Sequence, residues 1–128
     1  MAELAVVSFK VEQTEEQTKL GTVYLEYAYT LTPNVEECRV GALFVMTVDI
    51  LGADVLRDKV LVSGADAHRI VCEAGAPRRP IGGRREMIVG QHLLDEDLGS
   101  DEIKLRIVAT PQKGPPLSID TPVIRGDF

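Results

Sequence analysis

Glu102-Ile103-Lys104-Leu105-Arg106-Ile107-Val108-Ala109 decides the fold class of this chain. Its charged residues, Glu102, Lys104 and Arg106, alternate with Ile103, Leu105, Ile107 and Ala109. A period of two places every apolar side chain on one face of an extended strand. At about 100° per residue a helix would scatter the same residues around its circumference.

The same reading extends to Val23-Leu25-Tyr27-Tyr29-Leu31, with Thr22, Glu26 and Thr30 on the other face. Tyr27 and Tyr29 share the face of Leu25, so at least one is expected in the core with its hydroxyl at the rim, while Tyr24 points the opposite way beside Glu26. Gly41 to Ile50 is apolar at successive positions from Ala42 to Met46 and rich in β-branched residues, which predicts a central strand covered on both faces. Further strands are expected near Leu4–Val11, Val55–Val62, His68–Glu73, Arg84–Val89 and Ile119–Arg125. Turn residues separate them, among them Ser63-Gly64-Ala65-Asp66 and Pro80-Ile81-Gly82-Gly83. Arg85–Leu98 reads as a strand followed by a short helical turn. Helix signal is otherwise nearly absent, and no internal repeat or linker divides the chain.

Seven or eight short strands at this spacing predict an all-β fold, a single antiparallel β-sandwich over residues 1–128. In outline it resembles immunoglobulin-like sandwiches, or a jelly roll. The Cys–Trp–Cys hallmark of the former cannot occur, because Trp is absent. The likeness is one of architecture and carries no function.

A chain of 128 residues can bury enough surface for one core without covalent staples. Only 5% of residues are aromatic, so aliphatic side chains must fill that core. The net charge of −6 repels nucleic acid and anionic lipid, which argues against both as partners. The first ten residues lack a basic segment ahead of an apolar run, so neither a cleavable leader nor a membrane span is expected, and the expected location is cytoplasmic unless a leader has been removed. Cys38 and Cys72 have no metal-ligand spacing and read as thiols in or near the core; spacing alone leaves a bridge between them open.

Two stretches could hold a ligand or partner. Asp95, Asp97, Asp101 and Glu102 lie in a run of five carboxylates within eight residues. Closely spaced acids in a loop supply the hard oxygens that calcium prefers, although the spacing is not that of an EF-hand. The plainer reading is a solvated turn. The second stretch, Pro77 to Arg85, concentrates Arg78, Arg79, Arg84 and Arg85 around Gly82-Gly83. A glycine turn presenting backbone N–H groups beside paired guanidiniums could contact an anion or a protein; an exposed connection is the plainer alternative.

Nucleophilic chemistry finds little material. Ser63, Asp66 and His68 are close in sequence, but a turn entering a strand would seldom aim all three together. His68 and His92 read as strand-end or surface residues. The expectation is therefore a non-enzymatic protein-interaction or assembly domain without a cofactor. It would meet a protein partner or a second copy through an edge strand and one of the charged loops. The alternative is a calcium- or carbohydrate-binding sandwich that uses residues 95–102.

Overall fold

The protein is described by a computed structural model that covers residues 2–53, 58–94 and 101–126. In chain order the elements are β1 (Glu3–Glu12), α1 (Glu15–Leu20), β2 (Thr22–Thr32), α2 (Val35–Val40), β3 (Leu43–Gly52), β4 (Lys59–Val71), β5 (Ile81–Gly90), α3 (Gln91–Leu94), β6 (Asp101–Pro111), β7 (Leu117–Asp120) and β8 (Ile124–Gly126). Two antiparallel sheets face each other. One has the order β1-β2-β5. The other runs β4-β3-β6-β7, with β8 also paired to β6. The fold is an all-β sandwich.

The alternation that defines β2 and β6 becomes the core. Val23, Leu25, Tyr27, Tyr29 and Leu31 meet Phe44, Met46, Val48 and Ile50 of β3 and Ile103, Leu105, Ile107 and Ala109 of β6, all essentially inaccessible to solvent. Each large aliphatic residue so buried contributes roughly 1.5–3 kcal/mol. The opposite face of β6 carries the charges, which find partners there. Lys104 Nζ lies 2.7 Å from Asp58 and 2.9 Å from Asp120, while Arg106 Nε donates to Asp120 Oδ1 at 2.8 Å.

Two helices depart from the sequence reading. α1 and α2 follow one plan. Thr14 and Asn34 are N-caps whose side chains accept from the N–H groups of Gln17 and Glu37. Gln17 and Glu37 in turn accept from the cap N–H groups, at 2.8 and 2.7 Å. Acids fill each first turn, a base each last turn, and Gly21 (φ 69°) and Gly41 (φ 74°) end both in the left-handed region. α1 returns the chain to the same sheet; α2 carries it from one sheet to the other. The repeated plan was present in the sequence, but at six residues per helix the apolar period is too short to register.

Strand boundaries differ in three places. The strands expected at 55–62 and 68–73 form one strand, β4, which passes through the expected turn at 63–66. Gly64 takes φ 62° there, and the β3–β4 register shifts between Val48 and Ile50, so the turn residues make an irregularity within a strand rather than a reversal. Residues 54–57 lie outside the described part. The strand expected at 119–125 divides into β7 and β8 at Thr121-Pro122-Val123, where the Thr121 hydroxyl accepts from Leu105 N–H at 2.9 Å. β3 is central in its sheet, yet its outer face is covered only in part: Val45 is 40% exposed, while Leu51 on the same face is buried.

Candidate functional site

The structure disperses the basic stretch. Gly82 and Gly83 are not a turn: β5 starts at Ile81 and pairs with β2 without a break from Ile81–Leu31 to Gly90–Thr22. Consecutive strand residues point to opposite faces, so Arg84 and Arg85 separate. Arg84 lies on the outer face with Nη2 2.6 Å from Glu26 Oε1, whereas Arg85 turns in toward β4. Arg78 donates from Nε to the Pro33 carbonyl at 2.8 Å, and Arg79 is exposed. No clamp of four guanidiniums forms. Gly83 has a packing reason instead: a Cβ there would fall on Cζ, Oη and Cε1 of Tyr29, all closer than 3.0 Å.

Of the acidic set, Asp95 and Asp97 lie outside the described residues, as does the side chain of Asp101. Glu102 pairs with Arg125, Oε1 to Nη2 at 3.1 Å. Among the described residues no cluster of three or more His, Cys, Asp or Glu side chains is placed to hold a metal.

A constellation that sequence reasoning missed closes the sandwich between β5 and β4. Asp66 and His68, two apart on β4, both face inward opposite Val48 and Met46. Asp66 accepts two bonds from Arg85, from Nε to Oδ2 at 3.0 Å and from Nη2 to Oδ1 at 3.1 Å. The Tyr27 hydroxyl donates to Oδ2 at 2.6 Å. Tyr29 meets Nε2 of His68 through its hydroxyl, and its ring stacks beside Tyr27. His68 is thus an inward residue in mid-strand, not a strand-end or surface one; His92 is exposed. The signal that could have located the pair is the i, i+2, i+4 alignment of Asp66, His68 and buried Ile70, which the turn-like Ser63-Gly64-Ala65 obscures.

Electrostatics keep each group in the state that holds the cluster together. The Arg85 hydrogen bonds, joined by the one from Tyr27, lower the Asp66 pKa against the opposing effect of burial. Burial foremost, then the Arg85 charge, lowers that of His68, so its imidazole is neutral at pH 7. Burial pushes the Tyr29 phenol up to about 12 and raises Tyr27 further, with its bond to Asp66 contributing. The Tyr29 hydroxyl and the neutral ring share one hydrogen bond at Nε2, while the buried Nδ1 has no hydrogen-bond partner among the described residues. Both Asp66 oxygens and His68 Nε2 are engaged by neighbours within the sandwich. Its effect is mechanical: it ties β5, through Arg85, and β2, through Tyr27 and Tyr29, across to β4.

A depression elsewhere, lined by Ala2, Asn34, Phe44, Pro111, Lys113 and Leu117 among others, has mainly apolar walls. Its Asn34 and Glu37 are already engaged in capping α2.

The sheet edges differ in how they are protected. β1 bulges between Val6 and Ser8, leaving Val7 64% exposed. β4 carries the irregularities opposite Val48, Ile50 and Leu51. β7 and β8 have four and three residues and are separated by Pro122. Bulges, shortness and proline are common devices against strand addition. β5 has none of these: ten residues in continuous register, no internal proline, and Ile88 66% exposed on its outer face; its one inward charge, Arg85, is neutralised by Asp66. Half of its backbone N–H and C=O groups point away from β2.

No protein-family model matches the chain, and no curated protein matches it. Among the described residues no helix is long and apolar enough to cross a membrane.

Proposed function

We propose that this chain is a non-enzymatic protein-contact domain whose partner adds a strand to β5. One observation carries the reading: β5 alone among the described edges is long, unbulged and free of proline. An edge of that kind holds a row of unpaired backbone donors and acceptors, and an added strand satisfies them. The Arg85–Asp66 contact supports it by fixing β5 over β4, and Tyr29–His68 fixes neighbouring β2 over the same strand, so little ordering remains to be done on binding. Arg84, Glu86 and Ile88 then form an outward row that selects the partner.

The test compares two lysine substitutions in capture from native extract. Ile88→Lys puts a charge on the β5 outer face and should abolish capture. Val71→Lys, at an equally exposed site on β4, should leave it intact. In the captured complex, amide hydrogen exchange should slow within residues 81–90. Capture that survives Ile88→Lys, or protection confined to other segments, would overturn the proposal.

A further inference from the structure

The outer face of β5 says which strand fits it. Glu86 stands directly across from Glu26 on β2, a pairing of like charges that costs stability. Arg84 is already drawn to Glu26, and among the described residues Glu86 has the Tyr24 hydroxyl but no ion pair. Two places along the strand, Ile88 is mostly exposed, while a side chain at Gly82 would meet open space. The face therefore has an anion without an ion pair among the described residues, a largely exposed cation shared with Glu26, a bare apolar side chain and a gap.

We infer that the added strand is β5 of a second copy of this chain, paired antiparallel about a two-fold axis through Arg85. This rests on the edge reading above and names its partner. In a continuous sheet, paired residues share a face, so a symmetric β5 pair must be centred on a residue rather than between two. Centring on Arg84 or Glu86 sets like charges against each other on the outer face. Centring on Arg85 places Arg84 opposite Glu86 of the second copy, and does so twice. It also seats each Ile88 over the other copy's Gly82. On the inner face the two Arg85 side chains approach, but each is already neutralised by two bonds to its own Asp66. The two three-stranded sheets become one of six strands. With net charge −6 per copy, long-range repulsion opposes the encounter, so these local pairs must carry it.

Analytical ultracentrifugation of the full chain over a wide concentration range tests this, using Arg84→Glu, Glu86→Arg, both together, and an equimolar mixture of the two single variants. Wild type should dimerise. Each single variant sets like charges opposite each other twice and should weaken dimerisation by about tenfold or more. The double variant should recover it, because the pairs are restored with exchanged signs. The mixture should recover it as a heterodimer, since every outer-face pair is then opposite in charge. That recovery also shows the single variants to be folded. A wild type that stays monomeric, or dimers indifferent to all four changes, would overturn the two-fold pairing. If Ile88→Lys still blocked capture of a different protein, the edge reading would survive while this inference fell.

Discussion

Replacing Gly83 with Ala is the sharpest probe of how β5 is held. The added methyl enters the space of the Tyr29 ring, with three ring and hydroxyl atoms closer than 3.0 Å. The ring cannot swing aside cheaply, because Tyr29 is 1% exposed and its hydroxyl is bound to His68. Overpacking of this kind costs about 1–3 kcal/mol, and loss of the hydrogen bond adds about 1 kcal/mol. Lower entropy of the unfolded chain returns about 0.4–1 kcal/mol. The net loss is about 1–3.5 kcal/mol, or a fall of roughly 4–12 °C in Tm for a domain of this size. Gly82→Ala is the matched control, one residue away with nothing within 4 Å of its added carbon, and should be neutral or slightly stabilising. Urea unfolding with unchanged m would read both. In a Tyr29→Leu background the cost of Gly83→Ala should fall toward that of the control, a coupling of about 1 kcal/mol or more. Equal midpoints for the two alanine variants would refute the account of Gly83.

Two further outcomes follow from the same contacts. Burial holds the folded pKa of His68 below its usual 6.5, so the unfolded chain binds its proton first on acidification. Stability should be complete above pH 6.5 and decline below it, by at most about 1.4 kcal/mol per pH unit, before Asp66 contributes its own loss below its usual 3.8. His68→Gln, which can still share a hydrogen bond with Tyr29, should flatten the urea midpoint between pH 7 and 5; an unchanged slope would assign it elsewhere. At the helix ends, Gly21→Ala should cost about 1–2 kcal/mol for the left-handed backbone alone. Gly41→Ala should cost about 1 kcal/mol more, because its Cβ would also lie 3.1 Å from Ala74 Cβ and the Cys72 carbonyl. Thermal unfolding that ranks them the other way would contradict the packing around α2.

The sequence by itself determined the layer architecture. Alternation in 22–31 and 102–109 dictates which side chains face inward, and side chains of that size and number need a second sheet to cover them. It also placed at least one of Tyr27 and Tyr29 in the core, where the structure buries both, and the Lys104 and Arg106 charges outside. The two capped helices were written there as well, in Thr14–Gln17–Gly21 and Asn34–Glu37–Gly41, although short helices leave no periodic trace. Tertiary structure alone decided what the glycines and charges meant. Gly82-Gly83 has the composition of a turn, yet it is a strand because Tyr29 of another strand occupies the missing side chain's place. Arg84 and Arg85 are neighbours in sequence but answer to Glu26 and Asp66 on opposite faces. The bulges that protect β1 and β4, and leave β5 open, depend on strand order and register. Those are set by contacts between residues far apart in the chain, which no local pattern encodes.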